Sequence, residues 1–324
     1  MPTIKPLLVI AIAGVLAACG SGSPGNNAMH IGHAKATHPT GDATALQVAA
    51  ESRGDVNCPA KVQTPPQAAG MPADDVLGVR PGMTYEEAAN VVLCSNPLLV
   101  VTDGSDRPFE LNTYGQKVRQ GFTARYAEPR VQKTSKQILD DMQREEQARS
   151  MNAVQADMPP GESKWSVSTM GMPGQEKVVS VFREESFATG HNPTVDSLVQ
   201  ALVKKYGAPA FKDGTPGDYL LLYWDADIQG KPLTWEQQQV DRCGSIVNDG
   251  SMTLSGHCGT LVVAMVRPVR DNNDLARLLR VGVLDDAGAY NAIAATEKGL
   301  QQLDAARRQR EVKAAEKNAD ATQL

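Results

Sequence analysis

The sequence predicts an α+β fold in which one or more antiparallel sheets pack against two or three helices. The helices and strands are expected to form two tandem helix-then-strands units, followed by a long C-terminal helix. Three observations support this class. Apolar residues of the segment 195–206 recur at the spacing of one continuous helix face. Thr84 stands three residues before Glu87, which is the spacing of a capping box at a helix start. Several short segments elsewhere alternate apolar and polar residues, as half-buried strands do.

The first unit is expected to begin near Val76. The capping box starts a helix that Asn96-Pro97 ends, because the residue before a proline disfavours helical backbone. The segment 134–152 is predicted to be a surface helix, since it is polar on nearly all faces. Strands are expected at 98–102, 122–126, 165–170 and 177–187, the last two as a hairpin.

The second unit contains the helix 195–206, which Gly207 and Pro209 end. A loop or hairpin is expected over 244–259, and strands at 219–225, 260–266 and 278–284. From Asp285 onward the chain has no proline and is rich in helix formers, which predicts a long helix. An apolar stripe should dock its first half, and the part past Ala305 should fray or project. The stripe comprises Tyr290, Ile293, Ala294, Leu300 and Leu303.

The first 18 residues have the composition of a secretory signal. Lys5 precedes an apolar run that is shorter than the roughly 20 residues of a transmembrane helix. The tetrad Leu16-Ala17-Ala18-Cys19 resembles the lipobox of bacterial lipoproteins. This resemblance implies cleavage before Cys19, a diacylglycerol on its thiol and a fatty acyl chain such as palmitate on the new amino terminus. Gly20 at the next position implies the outer membrane. An ordinary signal peptide with a cysteine near the cut is the alternative.

These features divide the chain into four parts. Residues 1–18 are the predicted signal peptide, and 19–75 the lipid anchor with a flexible tether that becomes extended and proline-rich. Residues 76–284 are the α+β body, with a subdivision near residue 190. Residues 285–324 are the charged C-terminal helix.

Four further cysteines are expected to form disulfides, since the predicted compartment is oxidising. The chain allows three pairings. We favour Cys58 with Cys94 and Cys243 with Cys258, because each pair lies within one local unit. A zinc site is the alternative, although no pair has Cys-x₂-Cys spacing. We expect neither a metal nor a cofactor.

Two short motifs resemble those of small outer-membrane lipoproteins of the BamE (SmpA/OmlA) kind and the related β-lactamase-inhibitor-like repeats. Gly82-Met83-Thr84 matches their helix opening, and Tyr206-Gly207-Ala208-Pro209 matches their Leu-Gly-x-Pro helix end. In those proteins an antiparallel sheet follows. Here the two motifs stand in different units, so the resemblance implies an α+β layer fold and no specific partner.

Common catalytic signatures are absent from the sequence of the folded part. These are Gly-x-Ser-x-Gly, His-Glu-x-x-His, the Walker loop and the dinucleotide fingerprint. The residues that could nevertheless support catalysis or bind calcium are His257 with Cys258 and the acidic pairs Asp225/Asp227, Asp140-Asp141 and Glu184-Glu185. In the alternative interpretation, Cys258 is in a disulfide and therefore unreactive, and the acidic pairs are ordinary solvent-exposed surface residues.

The expected function is therefore binding rather than catalysis. The formal net charge of −5 is mild and argues against a nucleic-acid partner. We expect a periplasm-facing lipoprotein, attached to the membrane by its lipid, that binds another protein or the envelope. An inhibitor or immunity protein against a periplasmic hydrolase is the first alternative, and a cell-wall-active enzyme is the second.

Overall fold

The computed structural model describes residues 42–67, 71–106, 109–150, 158–241, 243 and 254–319. Within these residues the chain forms one antiparallel sheet of eight strands and six helices, which confirms the α+β class. The predicted signal peptide and Cys19 lie outside the described residues. Among the described helices, none is both long and apolar enough to cross a membrane.

The eight strands are β1 (Leu99–Asp103), β2 (Gly121–Tyr126), β3 (Ser163–Met170), β4 (Lys177–Ser186), β5 (Phe211–Thr215), β6 (Tyr219–Tyr223), β7 (Thr260–Val269) and β8 (Asn272–Asp285). The sheet has the order β1-β2-β3-β4-β8-β7-β6-β5, so the two halves of the chain meet where β4 pairs with β8.

The helices are α1 (Ala45–Ser52), α2 (Tyr85–Ser95), α3 (Ser135–Ser150), α4 (Val195–Tyr206), α5 (Trp235–Asp241) and α6 (Asp286–Ala319). The order helix, two strands, helix, two strands therefore occurs twice, once from α2 to β4 and once from α4 to β8. This confirms the two tandem helix-then-strands units, which we call the first and second repeats.

The same local chemistry starts both repeats. The hydroxyl of Thr84 accepts a hydrogen bond from the amide of Glu87, and that of Thr194 accepts one from the amide of Ser197, both at 3.1 Å. Each threonine also forms a β-bridge with the last strand region of its repeat, Thr84 with Lys177 and Thr194 with Leu275. The two helices are thus capped and attached to the sheet in the same way.

Both faces of the sheet are covered. The helices α2 and α4 pack on one face, where the core includes Leu93, Phe122, Trp165, Leu202 and Val283. On the other face the second repeat is covered by the region around α5 and by the start of α6, with Leu261, Leu284 and Ala289 in the core. Burial of these side chains is the main stabilising contribution to the fold.

Ordered structure begins earlier than the sequence predicts. We expected order near Val76, but α1 already forms at Ala45–Ser52, and Thr44 and Gln47 form a capping box at its start. The disulfide Cys58–Cys94 then joins the following segment to α2. The tether interpretation of 19–75 therefore does not hold for the described residues from 42 onward, because the β-bridge between Ala43 and Arg130 and the disulfide Cys58–Cys94 hold them to the body.

Two other elements differ from expectation. The strand β5 and the helix α5 are not predicted from the sequence, because their residues have turn-like and strongly polar composition, respectively. In α6 the face turned to the sheet contains Ala289, Thr296 and Leu300, whereas Tyr290 is 51% and Leu303 46% exposed. Thr296 can be buried because its hydroxyl donates to the carbonyl of Ala292. The side chains from 306 to 316 are exposed, as expected for the second half.

Candidate functional site

A cluster of five side chains fills the space beside the start of α2 in the first repeat. The rings of Tyr85 and Phe122 meet edge to face, with centroids 5.1 Å apart. The Tyr85 hydroxyl donates to Asp103 at 2.5 Å. The guanidinium of Arg119 lies 3.5 Å from the Tyr85 ring centroid and pairs with Glu86 at 2.5 Å. Burial, followed by the hydrogen bond to Asp103, raises the pKa of Tyr85.

The sheet register identifies the equivalent place in the second repeat. One row of directly paired residues crosses β1, β2 and β3 at Asp103, Phe122 and Val167. The equivalent row crosses β5, β6 and β7 at Gly214, Leu220 and Val266.

The helix starts and the turns before the strands correspond as well. Tyr85 follows the cap Thr84, and Val195 follows the cap Thr194. Arg119 stands two residues before β2, and Gly217 stands two residues before β6. The positions of Tyr85, Asp103, Arg119 and Phe122 are therefore occupied in the second repeat by Val195, Gly214, Gly217 and Leu220.

A groove of about 420 Å³ lies at this place in the second repeat. Its apolar and aromatic lining comes from two strands, one helix and one turn, and comprises Val195, Tyr219, Leu220, Val266, Pro216 in the turn between β5 and β6, and Pro268 in β7. Val266 is fully buried, whereas Val195 and Leu220 are only partly buried. The groove volume is within the range of about 300–1,000 Å³ that is typical of ligand pockets.

Polar groups line the rim of the groove. Lys212, Asp213 and Asn273 contribute to the lining and are exposed. The carboxylate of Asp213 accepts from the amide of Gly214 at 2.7 Å. An apolar base with a few polar rim groups is the usual architecture of a recognition site.

The strand β5 forms the outer wall of the groove and one edge of the sheet. It pairs with β6, and no other described strand pairs with it. Residues 212–215 are all exposed. At the opposite edge, by contrast, β1 is contacted by α1. A sheet edge of this kind can accept an added strand from another chain.

The acidic residue that the sequence singled out, Asp225, is fully buried. Its carboxylate accepts from the side-chain amide of Gln238 at 2.5 Å and from the backbone amide of Val262 at 3.1 Å. Burial raises its pKa to about 8, with a smaller contribution from the nearby carboxylate of Asp286. These contacts join α5 to β7, so Asp225 has a structural position and does not line an open cleft.

The other candidate catalytic residues also have structural contacts. Asp227 accepts from the amides of Gln229 and Lys231, both at 2.9 Å, and so closes a tight turn. His257 is exposed, and its neighbour Cys258 is bonded to Cys243. Both disulfides are those favoured from the sequence. Glu184 pairs with Arg280, and Asp141 pairs with Lys133.

Within the described residues, no group of three or more His, Cys, Asp and Glu side chains could hold a metal ion. Sequence reasoning missed the groove, because it is lined by ordinary small and apolar residues. The available signal was the alignment of Thr84-Tyr85-Glu86 with Thr194-Val195-Asp196, which shows a large residue replaced by a small one.

Comparisons with known protein families, with curated proteins and with solved structures found no match to this chain. The resemblance to lipoproteins and to the inhibitor-like repeats therefore stays a prediction from the quoted motifs.

Proposed function

We propose that this chain is a lipoprotein anchored in the outer membrane through Cys19, facing the periplasm, and that its body binds a protein partner without catalysing a reaction. The lipobox-like tetrad supports the anchor. Two disulfides are consistent with an oxidising compartment, because such bonds persist there and are rare in the cytosol.

One observation carries the binding proposal. The groove beside α4 is open at the position where the first repeat fills the same space with its own side chains. An exposed sheet edge adjoins it. A concave apolar surface next to an unpaired strand is a typical way to recognise an extended polypeptide.

Affinity capture from detergent-solubilised envelope tests the binding proposal. The bait is the full lipidated chain, and the control bait carries only residues 19–41. We expect at least one envelope protein to be enriched by the full chain over this control. Equal recovery from both baits would remove the support for a protein-binding body.

Lipid labelling tests the anchor. Cells supplied with a labelled fatty acid should label the wild-type chain and should not label a Cys19→Ala chain. Cys58→Ala serves as the matched control, since it removes a cysteine outside the lipobox. Persistent labelling of the Cys19→Ala chain would contradict the anchor.

An inhibitor or immunity role is the second candidate. It is favoured by the disulfide Cys243–Cys258, which joins two residues that are 15 positions apart in the sequence. The two short motifs that resemble inhibitor-like repeats, and that imply an α+β layer fold, also motivate this role. Recovery of a periplasmic hydrolase in the capture experiment, with loss of its activity when the purified chain is added, would support this role.

A further inference from the structure

The comparison between the repeats shows what the groove lacks. At its four key positions, the first repeat has two aromatic rings, a carboxylate and a guanidinium. The second repeat has a valine, a leucine and two glycines there. Side chains that fill the site in one half of the molecule are thus missing in the other half.

We propose that the groove receives an aromatic side chain of a protein partner, presented by an extended segment that lies along β5. This inference deepens the proposed protein-binding function and rests on it. The aromatic side chain would occupy the space that corresponds to the ring of Tyr85 in the first repeat.

The shape and lining of the groove favour an aromatic occupant. Val195, Leu220 and Val266 offer apolar contacts and leave the volume that a ring would fill. Aromatic side chains bury about 150–250 Å² each and often anchor protein interfaces. In the first repeat, the ring of Tyr85 is 3% exposed, which shows that this place in the fold accommodates an aromatic residue.

A cation at the rim strengthens this assignment. The side chain of Lys212 lines the groove together with Tyr219, but among the described residues its ammonium makes no cation–π contact with a ring. In the first repeat a cation and a ring are already paired, with Arg119 over Tyr85 at 3.5 Å. A ring bound beside Lys212 would gain the same kind of cation–π attraction.

The position of the groove favours an extended segment. It adjoins β5, whose outer side is paired by no described strand. A strand added to this edge would gain backbone hydrogen bonds from β5 and would direct alternate side chains toward the face of α4. The aromatic residue would be one of these side chains.

A second copy of this chain is a less suitable occupant. The antiparallel register that pairs the whole of β5 with a second β5 would place Asp213 directly opposite its own counterpart. Like charges that are directly opposite destabilise a strand pair. Glycine at position 214 also adds no side-chain packing across such a pair. We therefore assign the groove to a different protein.

A short peptide series tests the proposal. The probes are the acetylated and amidated peptides Thr-Val-Tyr-Val-Thr, Thr-Val-Leu-Val-Thr and Thr-Val-Ala-Val-Thr, each carrying a fluorophore on a flexible linker. They are titrated into the full mature chain with Cys19→Ala, which keeps it soluble, and anisotropy is recorded. We expect the tyrosine peptide to bind at least tenfold more tightly than the alanine peptide, with leucine between them. Equal dissociation constants for all three would overturn the proposal.

A variant with larger side chains in the groove tests whether the peptide binds there. The double variant Val195→Tyr with Leu220→Phe introduces the residue types of the first repeat. It should weaken the binding of the tyrosine peptide at least tenfold. The control, Val240→Tyr with Leu46→Phe, makes the same changes at sites that are 79% and 55% exposed and should leave binding unchanged. Thermal unfolding of each variant checks that the fold is kept. Undiminished binding to a folded groove-filled chain would place the peptide elsewhere and overturn the assignment.

The capture experiment separates this inference from the proposed function. If wild-type and groove-filled baits enrich the same partner equally, the chain binds proteins but not through the groove. If neither enriches any partner while the peptide preference holds, the groove chemistry stands and the envelope-binding function does not. If only the groove-filled bait loses the partner, the result supports both the protein-binding function and the assignment of the groove as its site.

Discussion

In the first repeat the inserted helix α3 stands away from the sheet, whereas in the second repeat the inserted helix α5 is held against it. All described side chains of α3 from Ser135 to Asp140 are exposed. In α5, Gln238 is buried and donates to Asp225, and Cys243 just beyond the helix is bonded to Cys258. The two repeats share one order of helices and strands and therefore differ in how their inserted helix is held.

The contrast is reversed at the opposite face of the sheet. There the first repeat is filled, with Arg119 over Tyr85 and the Cys58–Cys94 bond reinforcing α2, while the second repeat keeps an open groove beside α4. The position of Asp225 shows the difference. Its equivalent in the first repeat is Ala127, whose methyl side chain cannot form a hydrogen bond to an inserted helix. The sheet face that carries α2 and α4 is thus filled in the first repeat and open at the groove in the second.

Removing the disulfide of the first repeat should lower the free energy of unfolding more than removing that of the second. Cys58–Cys94 has a sequence separation of 36 residues, against 15 for Cys243–Cys258. In the chain-entropy model these loops correspond to about 3.8 and about 3 kcal/mol of unfolding free energy. Denaturant unfolding of Cys58→Ala/Cys94→Ala and Cys243→Ala/Cys258→Ala chains should show this order. The reverse order would mean that the second bond stabilises native contacts of α5 more than loop length predicts.

The buried carboxyl of Asp225 should make the stability of the second repeat fall as pH rises from about 4 to about 8. Its pKa is raised from 3.8 to about 8, so the folded chain keeps a proton that the unfolded chain loses above about pH 4. The free energy of unfolding should therefore fall as pH rises from about 4 to 8, by a few kcal/mol, since each tenfold change in proton affinity corresponds to about 1.4 kcal/mol. Below about pH 4 this loss is absent.

The variant Asp225→Asn keeps the shape of the protonated carboxyl but cannot ionise. We expect its unfolding free energy to vary less than that of the wild type between pH 4 and 8, and to exceed it at pH 8. Urea titrations at pH 4, 6 and 8 measure both quantities. Parallel pH dependences in the two chains would show that Asp225 is not the group responsible.

In the first repeat the pH dependence has the opposite sign. Burial raises the pKa of Glu87, but hydrogen bonds from the Thr64 hydroxyl and from the amides of Thr84, Gln63 and Thr64 outweigh it and lower the pKa to about 2. The stabilisation is therefore present above about pH 4.5 and is lost as pH falls toward 2.

The variant Glu87→Gln should cost about 1 kcal/mol at pH 7, allowing for partial exposure of the carboxylate to solvent. It should also reduce the loss of stability between pH 4.5 and 2. The equivalent position in the second repeat is Ser197, whose side chain cannot ionise in this range, so Ser197→Ala serves as the control. Acid titrations of unfolding free energy compare the three chains. An unchanged acid dependence in Glu87→Gln would contradict the role of this carboxylate.

The sequence predicted the parts of the fold that depend on local chemistry. The helices α2 and α4 follow from Thr84, Thr194 and the helical spacing of apolar residues, which are readable over a few positions. The groove was not predictable in this way, since it depends on strand register. Gly214 and Leu220 are paired across a turn, and their small size matters only in comparison with Asp103 and Phe122. β5 was missed because Phe-Lys-Asp-Gly-Thr has the composition of a turn.

The smallest expected effect concerns α3 and tests the contrast between the inserted helices. Leu139 is 55% exposed, so Leu139→Ala removes little buried apolar surface and should change the free energy of unfolding by less than about 0.5 kcal/mol. The buried Leu202 of α4 is 7% exposed, and Leu202→Ala should cost about 2–5 kcal/mol. Denaturant unfolding of both variants provides the comparison. A loss above 1 kcal/mol for Leu139→Ala would mean that α3 packs against the body in solution, and the two inserted helices would then differ in strength of docking and not in kind.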